Sequence, residues 1–197
     1  MLELDARIRE LLRAGQISEA TTLALRVLGP EILGFLSGVL GDADGDEAFQ
    51  SFSEHLWKSL DQFKGLCTMR TWAYVIARRA ISKFRRGERR HLEGRVPISE
   101  LQDVLEEVRK TRTTLAPDRQ RLTKLRDELK IPDRMLLIMR VDRSLSFEEI
   151  AMAFADDPDA LSAEELKRES ARLRKRFQLV KRSLMERLRG GPSGALA

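Results

Sequence analysis

Between Leu66 and Arg90 the sequence reads LCTMRTWAYVIARRAISKFRRGERR, a mixture of Trp72, Tyr74 and Phe84 with a run of arginines. That chemistry suits a polyanion. Guanidinium groups hold phosphates with a fork of donors, and aromatic rings offer flat faces to unstacked bases. The same composition also fits an amphipathic helix with a solvated basic side, and the segment alone does not separate the two. At about 100° per residue, Ala73, Ile76, Ala77, Ala80, Ile81 and Phe84 share one face, while Thr71, Arg78, Arg79, Ser82, Arg85 and Arg86 cover the opposite one. The basic side is then expected to be one continuous surface. Trp72 and Tyr74 fall on its borders, where both packing and DNA contact are open to Trp72.

A second basic block runs from Lys167 to Arg189. There Leu166, Leu173, Phe177, Val180 and Leu184 make an apolar stripe, and Lys167, Arg168, Ser170, Arg172, Arg174 and Lys175 are expected to project outward. Ser146 with Glu149 and Ser162 with Glu165 have the spacing of capping boxes, which start a helix at FEEIAMAF and a long one at AEELKRES. Two capped helices in succession, the second basic, fit a helix-turn-helix whose second helix enters the major groove. The segment ADDPDALS between them is longer than the compact turn of that motif. A basic helix by itself is more often just a solvated surface.

Other chemistries fare worse. Asp42, Asp44 and Asp46 alternate as in a calcium loop, but Glu47 stands where that loop needs Gly, and Ser53 where it needs a bidentate Glu. A polar turn at 41–46 is the plainer reading. His55 and His91 have no partner at zinc-ligand spacing. Cys67 lies in no nucleophile motif, and no Gly-rich phosphate loop occurs. The chain is therefore read as a non-enzyme that needs no metal or cofactor.

The elements that must position these residues are helices. Apolar positions recur at helical spacing almost everywhere, and no stretch alternates as a strand should. Leu4, Ile8, Leu11 and Leu12 mark a first helix stopped near Gly15. Ala20 to Leu40 is apolar, with a break expected at Gly29-Pro30. Phe49, Phe52, Leu56, Leu60 and Phe63 form a stripe with Trp57 beside it. A connector with Pro97 and Pro117 follows, holding a short acidic helix from Ser99 to Arg109. Lys plus Arg number 36 against 31 for Asp plus Glu, and the two basic blocks flank the acidic stretch 100–107. Two contacts on one polyanion follow from that layout. With no run of about 18 apolar residues, a membrane-spanning helix is not expected. The N-terminus lacks a signal-peptide core, and the single thiol suits a reducing cytoplasm.

Two stretches carry a family resemblance. DEAFQSFSEHLWKSLDQFKG followed by RTWAYVIARRAISKFRR resembles region two of bacterial sigma-70-type RNA polymerase sigma factors of the extracytoplasmic-function (ECF) group. RSLSFEEIAMAF with RLRKRFQLVKRSLMERL resembles region four, the promoter-reading helix-turn-helix of that group. The resemblance covers about 17–90 and 119–188. It implies an all-α fold of two small helical domains joined by a flexible linker: an N-terminal extension 1–16, a region 2-like domain 17–92, a linker 93–118, a region 4-like domain 119–190 and a disordered tail 191–197. It further implies that Glu47, Gln50, Glu54 and His55 meet the large subunits of core RNA polymerase. Lys64, Thr68, Arg70, Trp72, Arg78, Arg79, Lys83 and Arg86 would act on the minus-ten element, where the 62–69 loop captures an unstacked base. Lys167, Arg168, Ser170, Arg172, Arg174 and Lys175 would read the minus-thirty-five duplex. Acids such as Glu100, Asp103, Glu106 and Glu107 would thread a cationic polymerase channel. Many relatives are held by an anti-sigma factor, which adds that partner class. Localisation would be cytoplasmic, at the nucleoid when bound to polymerase, without membrane insertion.

Three departures accompany the likeness: Ser51 replaces an acid in the polymerase-binding helix, and Arg79 and Lys83 stand where the family has Asn and Asp. The rival functions are a stand-alone helix-turn-helix regulator, which would not need the first domain, and a helical adaptor for acidic proteins. The adaptor would show no nucleic-acid affinity with a steep salt dependence.

Overall fold

The computed structural model describes residues 2–87, 98–110 and 126–189, and among these every regular element is helical. The elements are α1 (Leu2–Arg13), α2 (Ile17–Leu40), α3 (Asp42–Ser59), a 3-10 turn (Leu60–Gln62), α4 (Met69–Arg85) and α5 (Ile98–Lys110). They continue as α6 (Ile131–Leu137), a π turn (Ile138–Asp142), α7 (Phe147–Phe154), a 3-10 turn (Pro158–Ala160) and α8 (Ala163–Arg189). The chain divides into two compact units, Met1–Thr113 with Met152–Leu161, and Thr114–Ala151 with Ser162–Ala197.

In the first unit α2 is the central helix, packed on α1, α3, α4 and α5. It runs through Gly29-Pro30 without the expected break. Pro30 deprives the Arg26 carbonyl of its partner, which costs about 3 kcal/mol in an isolated helix. Leu25, Leu28, Ile32, Leu33, Phe35 and Leu36 are all buried around it, and that burial outweighs the defect. By length and composition α2 is also apolar enough to cross a membrane, but 56% of that window is buried inside the unit. It is the core helix of this unit.

The polar turn expected at 41–46 shrinks to one residue. Gly41, at φ 92°, ends α2, and α3 begins at Asp42. Asp42 and Asp44 occupy the first turn of a helix, where acids favour the macrodipole, so these carboxylates do not form a calcium loop. Gly45 lets α3 cross α2 closely: a Cβ there would stand 2.6 Å from the Ser37 Cα. The stripe Phe49, Phe52, Leu56, Leu60 and Phe63 is buried as its spacing predicts.

The acidic helix of the connector is present as α5, and it is packed rather than free. Val104, Leu105 and Val108 are buried, and Gly29 admits Val108 against α2, since a Cβ at Gly29 would stand 2.8 Å from Val108 Cγ2. Glu107 accepts a hydrogen bond from Arg26 Nε at 3.2 Å. The rest of the connector and the 191–197 tail lie outside the described residues.

In the second unit both capping boxes close as the spacing requires. Glu149 N donates to Ser146 Oγ at 3.1 Å, while the Glu149 carboxylate accepts from Ser146 N at 2.7 Å. Ser162 and Glu165 repeat the exchange at 3.2 and 3.0 Å. Leu173 and Val180 are buried on α8, with Leu166, Phe177 and Leu184 half-buried beside them. Asp133 on α6 takes a two-pronged pair from Arg176 at 2.6 and 2.8 Å, which ties α6 to α8.

Candidate nucleic-acid interface

The start of α4 is held by three oxygens. Thr68 caps the helix, its hydroxyl accepting from Thr71 N at 3.1 Å and lying 2.9 Å from the Thr71 hydroxyl. Asp5, buried on α1, accepts from Met69 N at 2.7 Å. These bonds satisfy orphan donors of the first turn and anchor one end of the 63–68 loop. Gly65 in that loop has φ 72°, and the Arg9 side chain lies 3.6 Å from where its Cβ would stand. Leu66 is exposed at the loop's tip. Beside it, burial pushes the Cys67 thiol up to about 11, with Asp159 and Asp5 adding to the effect, so the group stays a thiol at neutral pH.

The basic face of α4 is shorter than its periodicity suggests. Thr71, Tyr74 and Val75 are fully buried, because α2 and α3 cover most of the helix's first half. Tyr74 packs edge-on against Phe35 and donates its hydroxyl to Glu31 at 2.7 Å. Arg70 donates to the same carboxylate through Nε at 2.9 Å. Arg70 thereby holds the domain together, and its forked donors are occupied. Trp72 is half-buried with its ring tilted on Phe63, centroids 5.4 Å apart.

Arg78, Arg79, Lys83 and, just past the helix end, Arg86 remain as the basic half. His55 of α3 borders this half rather than lying only with Glu47, Gln50 and Glu54. Its pKa is lowered from 6.5, first by partial burial and then by the charges of Arg79, Lys83 and Lys58. Glu47 and Gln50 are exposed and Glu54 half-exposed along one side of α3, an acid-amide stripe distinct from the basic surface. The basic half also meets residues 155–159 of its own unit. Arg78 Nη2 donates to the Ala155 carbonyl at 2.9 Å and to Asp156 Oδ1 at 3.1 Å. Arg79 Nη2 donates to the Asp156 carbonyl at 2.6 Å, and Lys64 Nζ lies 3.3 Å from Asp159 Oδ2.

On α8, Lys167, Arg168, Arg172, Arg174 and Lys175 are exposed as expected. Ser170 is not. It is 5% exposed and its hydroxyl donates to the Leu166 carbonyl at 2.7 Å, which removes it from the outward set. Arg174 lies over the Phe147 ring at 5.3 Å, with Arg140 over the same ring at 4.9 Å. Arg172 pairs with Glu169 at 3.2 Å.

Sequence periodicity missed Asp5, Glu31 and the 155–159 segment. Glu31 had a signal, being the one acid between Ala20 and Leu40, where only a buried partner makes a carboxylate tolerable. Asp5 had none, since 64 residues separate it from the helix it caps.

Residues 25–91 match the family model for sigma-70 region 2. The match spans about a third of the chain and supports a sigma-70-type sigma factor, a class that binds core RNA polymerase and recognises promoters. No curated protein and no solved structure matches the chain.

Proposed function

We propose that this chain is an ECF-type sigma factor that opens the minus-ten region with its first unit and reads the minus-thirty-five duplex with its second. The observation that carries the reading is the build of α4. A loop fixed at one end by Thr68 and Asp5 leads into a helix whose later half offers Arg78, Arg79, Lys83 and Arg86, all within the matched segment. A loop anchored at one end, with an exposed tip, suits capture of a flipped base, and the adjoining cations suit the displaced strand's phosphates. Melting then needs no fuel, because base capture offsets an unstacking cost of a few kcal/mol.

The stripe Glu47, Gln50 and Glu54 is assigned to core polymerase. Lys167, Arg168, Arg172 and Lys175 are assigned to the minus-thirty-five element, in support of which α7 and α8 each begin with a closed capping box. Residence at the nucleoid when bound to polymerase would accompany that assignment, and an anti-sigma factor is a partner class that the family resemblance adds.

Run-off transcription of genomic fragments with core polymerase tests the reading. New specific start sites are expected, and their absence overturns it. Arg79→Ala with Lys83→Ala should lower permanganate reactivity of melted thymines more than it lowers co-purification with polymerase.

A further inference from the structure

Arg78, Arg79 and Lys64 are already engaged, and the groups engaging them share one chemistry. Two main-chain carbonyls and two carboxylates from residues 155–159 point oxygens at guanidinium and ammonium donors. Phosphate oxygens of a DNA strand would take these same donors. The segment comes from ADDPDALS, whose length exceeds what a helix-turn-helix needs, and it folds within the first unit. We propose that residues 155–159 act as an internal stand-in for the DNA backbone, covering the basic half of α4 until a nucleic-acid strand displaces them.

Details of the contact fit a cover that comes off. The Arg78 side chain is 15% exposed, whereas that of Asp156 is fully exposed, so the pair sits at the surface, where ion pairs are weak. Arg78 Nε is buried with no hydrogen-bond partner among the described residues, an unmet donor that an incoming phosphate could satisfy. Asp157 has a different task. Its carboxylate accepts from Asp159 N at 3.1 Å and shapes the Pro158–Ala160 turn that presents Asp159 to Lys64. Neutralising Asp156 and Asp159 should therefore release the cover while leaving the turn formed.

This inference rests on α4 being a DNA-binding face, and the test separates the two. Fluorescence anisotropy of a labelled mixed-sequence single-stranded oligonucleotide would be measured with the full chain. Asp156→Asn with Asp159→Asn should bind roughly tenfold more tightly than the parent, the gain expected when a competing closed state is removed. The parent should also show the shallower dependence of affinity on salt, because salt loosens its internal competitor together with the DNA contact. Glu19→Gln with Asp44→Asn removes the same charge elsewhere and should gain far less. An equal gain there would reduce the effect to net charge and overturn the cover, as would no gain in the Asn pair. Adding Arg78→Ala and Arg79→Ala should weaken binding and abolish the gain. Should those alanines leave binding unchanged, the DNA-face reading itself falls. Should they weaken it while the Asn pair does nothing, only the cover falls.

Discussion

At the scale of single residues, the candidate site depends on side chains engaged inside the fold, Asp5 and Arg70 among them. The Asp5 carboxylate meets the Met69 N–H in a buried setting, so Asp5→Ala leaves a donor unsatisfied at the start of α4. A loss of about 1–3 kcal/mol is expected in urea denaturation, with Asp5→Asn losing less because it keeps an acceptor. Arg70 and Arg79 should behave oppositely although both were read as DNA contacts. Arg70→Ala strips the Glu31–Tyr74 cluster of its cation and should lower stability by about 1–2 kcal/mol, while Arg79→Ala should leave the melting temperature nearly unchanged and weaken oligonucleotide binding. His55 adds a pH effect of definite sign. Its folded pKa lies below 6.5, so the unfolded chain takes up the proton first as pH falls. Stability present above about pH 6.5 is lost as the pH drops from there toward the folded pKa. A nearby phosphate would raise that pKa, so DNA affinity should rise over the same window. Urea midpoints and anisotropy at paired pH values, with His55→Gln as the flat control, check both signs.

At the scale of helices, close approach decides more than propensity does. Gly45→Ala would improve intrinsic helix formation by about 1 kcal/mol, yet its Cβ would meet the Ser37 backbone at 2.6 Å. Overpacking of that kind costs about 1–3 kcal/mol, so the substitution should lower the thermal midpoint. Such crossings also explain which parts of the fold were legible in the sequence. Helical spacing found the stripes of α1, α3 and α8, and capping chemistry placed the starts of α7 and α8, because both signals are local. It failed where a partner distant in sequence decides. Pro30 reads as a break until four neighbouring helices are packed around it, and α5 reads as a loose connector until Val108 meets Gly29. The same limit applies at the site. Arg78 and Arg79 were visible as a basic face, but Ser170 was assigned outward because one helical wheel does not show the packing around Leu166, and the resemblance that put Arg70 on DNA does not show Glu31.

At the scale of the molecule, a sigma factor must hold polymerase and DNA at once, which requires separate surfaces. In the proposed reading the first unit would meet that requirement within two adjacent helices. Glu47, Gln50 and Glu54 line α3, and Arg79 and Lys83 of α4 lie beside His55, so under the proposed assignment opposite charges would face different partners. Two pairs of substitutions should then dissociate the functions. Glu47→Lys with Glu54→Lys should weaken competition for core polymerase by at least tenfold, since like charges at a docked surface cost several kcal/mol. The same protein should keep its melting temperature and bind single-stranded DNA no more weakly than the parent. Arg79→Ala with Lys83→Ala should show the reverse pattern, competing normally while losing oligonucleotide affinity and salt dependence. Competition against a labelled sigma factor for core enzyme, run beside anisotropy on the same preparations, reads both. If either pair disables both activities while leaving stability intact, polymerase and DNA share one surface, and the assignment of α3 to polymerase fails.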